Sequence, residues 1–301
     1  MDNGEPTLWW VPPAMIAPIL WAIANLLDRK VLKQRHVSPL TMLVPTGLIA
    51  ACPGLVIWVS DRGSWPSAFT ACFGVLLGVV QLLAYLPYFN AVQRTRPSVV
   101  VLMWNLTPLF VVALAAALLG ERLSGWQYVG LALLVGSTLL FLAGNSPGEV
   151  RRAFFQMLPA CMFAALSTVG QKALFSIATF PTVVMCMGAG ALLTSLGVFL
   201  VSKPTRASKI PMTRWGLLSL LALDYGCDIS ADLLTKYAIS IGPVSMVNAF
   251  GTLQALWVVV GEHLLHLRQG NASSAMHRPL SVRHVVAGCL SILGMLLSFS
   301  Q

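Results

Sequence analysis

Apolar residues run through this chain in long stretches separated by short polar gaps. A membrane-spanning helix needs roughly 20 mostly apolar residues. The stretches predict ten such spans, at 9–27, 39–59, 68–91, 99–119, 126–143, 154–175, 182–201, 215–239, 244–265 and 282–299. A β-barrel would instead alternate apolar and polar positions over segments of about 10 residues, and that pattern is absent. Turn-forming residues fall in the gaps: Asp61-Arg62-Gly63-Ser64, Asn145-Ser146-Pro147-Gly148 and Lys203-Pro204. The longest polar gap, 268–281, is too short for a soluble domain. Trp9, Trp10, Trp65, Trp126 and Trp215 lie near predicted span ends, where indoles favour the lipid–water interface.

Composition agrees with this pattern. Hydrophobic residues make up 57% of the 301 and charged residues 10%, against roughly 45–50% and 25% in soluble domains. That deficit of charge excludes a soluble enzyme, a disordered chain and a coiled coil. The net charge of +9 would suggest nucleic acid in a soluble domain. Here the basic residues sit between apolar runs, which reads as loop charge, so no nucleic-acid partner is expected. The six cysteines are scattered singly, so neither a disulfide framework nor a zinc site is indicated. The acidic start MDNGE argues against a cleaved signal peptide.

The spans repeat. An offset of 142 lays Lys30 on Lys172, Leu32 on Leu174 and Pro39 on Pro181. An offset of 147 lays 83–92 on 230–239 and Ser98 on Ser245. Gly120-Glu121, at the end of span 4, reappears as Gly261-Glu262 at the predicted end of span 9. Spans 5 and 10 share the pairs Gly130/Gly136 and Gly288/Gly294. The common order of these matches divides the chain into two five-span repeats, 1–145 and 150–301. An odd number of spans per repeat gives the two halves opposite orientations. Such inverted repeats recur in secondary transporters, with the substrate site near the bilayer midplane between them.

In Pro108, Gly120-Glu121 and Gly130, and in Gly261-Glu262 and Gly288, the chain resembles the EamA-type members of the drug/metabolite transporter superfamily. It departs from the expected pattern in span 9, where Gln254 stands and a proline does not. The resemblance implies a central cavity lined by spans 1, 3, 4, 6, 8 and 9, and export or exchange of small metabolites or drugs. It also implies both termini in the cytoplasm.

Polar residues inside the spans are the candidate chemistry. Span 8 carries Asp224, Asp228, Asp232 and Lys236, each four residues after the last. Residues four apart share a helix face, drifting about 40° per step. An isolated charge at the bilayer centre costs about 2.5–3.5 kcal/mol on translocon scales, so this stripe must face protein or water. A cation or proton site is one reading, with Asp228 its centre; a structural Asp232–Lys236 ion pair is the other. Gln81 and Tyr85 of span 3 are the repeat counterparts of Asp228 and Asp232. The cavity is thus expected to be acidic on one wall and aromatic-polar on the other, suiting an amphipathic or cationic substrate. Asn25 and Asp28 end span 1, and Gln171-Lys172 end span 6. Of these, Asn25 and Lys172 join the expected pathway as gating or snorkelling groups. Trp104 and Asn105 precede Pro108, which frees a backbone carbonyl one turn earlier. Asn248 and Gln254 read as helix-packing groups, and Glu121 and Glu262 as structural groups at helix ends.

Enzymatic signatures are missing. Glu262-His263 with His266 is not HExxH. There is no Walker motif and no GxSxG, and the aspartates line up on one helix rather than facing each other. Neither a cofactor nor a metal is expected. The sequon at Asn105 lies inside a span, and that at Asn271 in a loop.

Charge sets an orientation. Arg29, Lys30, Lys33, Arg35, Arg94, Arg96, Arg151, Arg152, Lys203, Arg206, Lys209, Arg214, Arg268, Arg278 and Arg283 group on one side, and Arg62, Arg122, Lys172 and Lys236 on the other. The positive-inside rule then places both termini outside the cytoplasm, opposite to the resemblance. The expectation from sequence is a multi-pass protein of the cell membrane, the bacterial inner membrane in particular. It is monomeric or homodimeric and exports a small molecule by alternating access, with possible proton coupling. The alternative is a non-transporting membrane interaction subunit or lipid-carrier chaperone.

Overall fold

The computed structural model describes residues 8–35, 39–62, 65–143, 145–201, 214–269 and 282–298. A short 3-10 turn, Leu8–Trp10, leads into α1 (Val11–Arg35), followed by α2 (Pro39–Ser60), α3 (Ala68–Arg94), α4 (Pro97–Trp104), α5 (Thr107–Leu118) and α6 (Gly125–Leu142). The second half holds α7 (Pro147–Phe175), α8 (Phe180–Val201), α9 (Arg214–Ile241), α10 (Val244–Gly251), α11 (Leu253–Gln269) and α12 (Val282–Ser298). Helix is what lipid demands: it satisfies every backbone N–H and C=O within one segment. Eight helical stretches are long and apolar enough to cross a bilayer, and Val286–Leu297 is a shorter apolar helix. At 28 residues α9 has the length, but its stripe of four ionisable groups breaks the apolar run. The chain is an α-helical polytopic membrane protein, and large apolar side chains such as Phe199 and Leu200 stay exposed on its outer surface.

Two predicted spans are interrupted. Span 4 is α4 and α5, broken at Asn105-Leu106. Pro108 has no N–H to return to the Trp104 carbonyl, and its ring crowds that oxygen. Span 9 is α10 and α11, broken at Thr252, although no proline is there. Gly251, a poor helix former, precedes the break, and the Thr252 hydroxyl donates back to the Ala249 carbonyl at 2.7 Å. The breaks face each other: Asn105 Nδ2 donates to Thr138 Oγ1 at 2.8 Å and to the Thr252 carbonyl at 3.4 Å.

Several expectations need correction. Gly261-Glu262 does not end a helix, because α11 continues to Gln269. Gly120 does follow a helix end, with φ of +66°. Span 1 does not stop at Leu27; α1 runs to Arg35 and carries Asp28 within it. Trp10 is buried rather than interfacial, stacked on Phe250 with ring centroids 5.5 Å apart. Trp9, Trp65 and Trp126 are exposed, as expected. The turn at Lys203-Pro204, the sequon at Asn271 and the side chains of Lys30 and Trp215 lie outside the described residues.

The main packing pairs are α2 with α8, α6 with α12, α3 with α7, α1 with α9, α3 with α8, α1 with α11 and α5 with α7. Small residues permit the closest approaches, as expected where lipid removes the hydrophobic drive between helices. A Cβ on Gly54 of α2 would stand 2.7 Å from the Val184 carbonyl oxygen of α8, and one on Gly294 of α12 would stand 2.7 Å from that of Gly130 in α6.

Candidate functional site

A cavity with an empty volume of about 1140 Å³, its open side included, lies between α1, α3, the α4–α5 break, α7, α9 and α10. It is bounded by both halves of the chain and by both helix interruptions. Of the ten residues singled out from sequence, eight line it: Asn25, Gln81, Tyr85, Trp104, Asn105, Asp228, Asp232 and Lys236. Asp224 and Lys172 do not.

The acidic wall comes from α9. Asp232 is held on both sides, with Lys236 Nζ at 2.5 Å from one oxygen and Gln81 Nε2 at 2.9 Å from the other. Both sequence readings of this pair therefore have a place: it is an ion pair, and it lines the cavity. Asp228, one turn away, makes no direct ion pair among the described residues; the Lys236 ammonium, bonded to Asp232, acts on it electrostatically, and the Trp21 indole lies beside it. Asp224 is 2% exposed, with Oδ2 unpartnered; it is the electrostatic neighbour of Asp28 and Asp228.

The facing wall is aromatic. Tyr85 and Tyr88 meet edge to face at 6.1 Å, and Tyr88 meets Trp104 at 5.8 Å. Rings present a negative face that attracts cations. The Tyr88 hydroxyl is shared between the Asp28 carboxylate, at 2.7 Å, and the Asn25 side-chain oxygen. Asn25 in turn donates to the Trp21 carbonyl at 2.6 Å. Asp28 thus adds a further carboxylate to the cavity, from the opposite half of the chain.

Lys172 is employed elsewhere. Its ammonium donates to the Ile239 carbonyl at 2.9 Å and the Gly242 carbonyl at 2.8 Å, which satisfies the carbonyls left over at the end of α9. Nearby, Glu121 Oε1 accepts from the Ser245 backbone N–H at 3.2 Å, in the first turn of α10. A carboxylate there is favoured by the helix dipole, and Glu121 has the helix-end role its position suggested.

Sequence reasoning passed over Asp28, Tyr88 and Gln171. Asp28 was read as the end of a span. Gln171, expected at the end of span 6, is 3% exposed, lines the cavity and has its Nε2 unpartnered. Asn248 and Gln254, read as packing groups, also line the cavity. The available signal was spacing, since Asp28 falls one turn after Asn25 on the same face. Among the described residues no three His, Cys, Asp or Glu side chains converge to hold a metal ion.

Residues 8–143 match the model of the EamA-like transporter family. A solved crystal structure is similar in fold over 97% of this chain and 96% of its own, with a TM-score of 0.70 at 17% identity. No curated protein matches the chain.

Proposed function

Because residues 8–143 match the EamA-like transporter family, we propose that the chain is a transporter of the drug/metabolite superfamily, a secondary transporter that exports a small amphipathic or cationic metabolite or drug across the cell membrane. Family members are transporters rather than enzymes. The observation that carries the substrate reading is Asp228: a cavity carboxyl that makes no direct ion pair among the described residues, because its neighbour Lys236 is bonded to Asp232, and that shares the cavity with tyrosine and tryptophan rings. An intramembrane carboxyl that only shares a counter-ion is expensive. A ligand ammonium or a proton offsets that cost, and competition between the two gives exchange.

The ten-span, inverted-repeat arrangement belongs to the same proposal. Exchange α1 with α7, α2 with α8, α3 with α9, α4 with α10, α5 with α11 and α6 with α12. The pairs α1–α9 and α3–α7 then interchange, as do α1–α11 with α5–α7, α4–α7 with α1–α10, and α4–α11 with α5–α10; α2–α8 and α6–α12 map onto themselves. Asn105 and Thr252, at the two breaks, fall on each other at the offset of 147. This correspondence supports units 1–145 and 150–301 that rock about a shared midplane site.

The test is flux in proteoliposomes under an imposed pH gradient, with a panel of amine and aromatic substrates. Wild type should accumulate a substrate against its gradient, and Asp228→Asn should lose proton-driven accumulation while retaining fold. Proton-driven flux that survives this change refutes the coupling role. Absence of wild-type flux across the panel would favour the non-transporting interaction subunit.

A further inference from the structure

The packing correspondence between the halves departs most where α3 meets α8 and, in its counterpart, α9 meets α2. In α3, Gly74 and Gly78 bring the helix onto α8; a Cβ on Gly78 would stand 2.0 Å from the Met187 carbonyl oxygen. At the offset of 147 the corresponding residues of α9 are Leu221 and Tyr225. Side chains of that size prevent so close a contact. Accordingly α3 packs along α8, whereas α9 touches α2 only briefly.

The space left over is a second chamber with an empty volume of about 600 Å³, its open side included, bordering the acidic stripe. Its walls include Ile49 and Pro53 of α2, Leu82 of α3, Met187 of α8, and Ile229 and Leu233 of α9. Tyr225 lines it too. Gln81, Tyr85, Asp228, Asp232 and Lys236 border both this chamber and the central cavity. The partition between them therefore combines the Tyr85 ring with the Gln81–Asp232–Lys236 bridge, two hydrogen bonds of 2.9 and 2.5 Å.

We propose that this chamber is a subsite for the apolar part of an amphipathic cation. The cationic group sits between Asp228 and Asp232, replaces the Gln81 donor on one Asp232 oxygen while Lys236 keeps the other, and lets an alkyl or aryl tail pass into the chamber. The acids lie at the boundary of the two spaces, so charge complementarity fixes the head while the apolar walls take the tail. This rests on the cationic-amphiphile reading of the central cavity and adds the place where the non-polar portion is recognised.

Calorimetric binding to the purified protein in lipid nanodiscs tests it, with empty nanodiscs as background. The probes are ethylamine, butylamine, 4-phenylbutylamine and the neutral 4-phenyl-1-butanol. Wild-type affinity should rise about fourfold per added methylene. Ile49→Trp and Leu233→Trp, from two different walls, should each weaken 4-phenylbutylamine at least tenfold and leave ethylamine unchanged. Ala50→Leu, a smaller filler on the same wall as Ile49, replaces either variant that does not elute as a folded species. An undiminished rise with chain length in the filled variants overturns the chamber and puts the tail in the central cavity. If the neutral alcohol binds as well as its amine and both are lost on filling, the chamber stands and the cation reading fails. If no probe binds wild type, both are overturned.

Discussion

Asp228 and Asp232 sit one turn apart on α9, yet among the described residues it is Asp232 that takes the direct ion pair with Lys236. Lys236 and Gln81 both donate to it. Removing one member of a buried ion pair leaves the other uncompensated, at a cost of about 3–5 kcal/mol in proteins. Lys236→Met should therefore lower the melting temperature of the purified protein, and adding Asp232→Leu should restore most of the loss. A single variant as stable as wild type would mean the pair is solvated and structurally idle. At this scale the sequence was informative where chemistry followed helical periodicity. The stripe Asp228, Asp232, Lys236 lies on one face because four residues make about one turn. Asp28 and Lys172 were read less well, because their roles depend on what another helix brings. Tyr88 draws Asp28 into the cavity, and the carbonyls of Ile239 and Gly242 draw Lys172 away from it.

Helix by helix, the apolar runs located the helical stretches but not their interruptions. Hydropathy averages over a window, and a break of one or two residues between apolar halves leaves that average unchanged. Pro108 signalled one break; Gly251-Thr252 offered only a weak helix former and a hydroxyl, and nothing local marks the second. What fixes both is their meeting through Asn105. Packing by small residues gives a sharper prediction. A Cβ on Gly78 would meet the Met187 backbone at 2.0 Å, whereas Gly136 of α6 has nothing within 4 Å of that position. Backbone cannot yield as a side-chain tip does, so Gly78→Ala should separate α3 from α8 and lower thermal stability clearly. Gly136→Ala meets open space and should be neutral or stabilising by up to about 1 kcal/mol through helix propensity. Melting curves of the two variants in one detergent check the contrast. Equal effects would mean the α3–α8 contact is looser than its geometry.

For the molecule as a whole, orientation in the membrane decides which face of the cavity loads. The packing pairs fix which loops share a side. Trp10, in the 3-10 turn preceding α1, lies against Gly242, just after α9, and Glu121 reaches the first turn of α10. That side therefore holds the start of α1, the end of α5 and the α9–α10 turn. On the other side Arg96, at the α3–α4 turn, bonds Glu149 at the start of α7 at 2.9 Å. This second side holds the end of α1 and the start of α7, with Arg151 and Arg152, and it is the side on which the charge sorting of the sequence groups Arg29, Lys30, Lys33, Arg35 and the basic residues from 203 to 214. Short loops rich in Lys and Arg are retained in the cytoplasm. Both termini should therefore face away from the cytoplasm, in contrast to the arrangement the family resemblance implies. A reporter that fluoresces only in the cytoplasm should stay dark at either terminus and light up when inserted near Lys209. Replacing Arg29, Lys30, Lys33 and Arg35 by Gln should raise the terminal signal, because the bias of the first loop is then gone. Bright termini in the unaltered chain would reverse the assignment, and the mouth of the cavity nearest Asp28 would then open away from the cytoplasm.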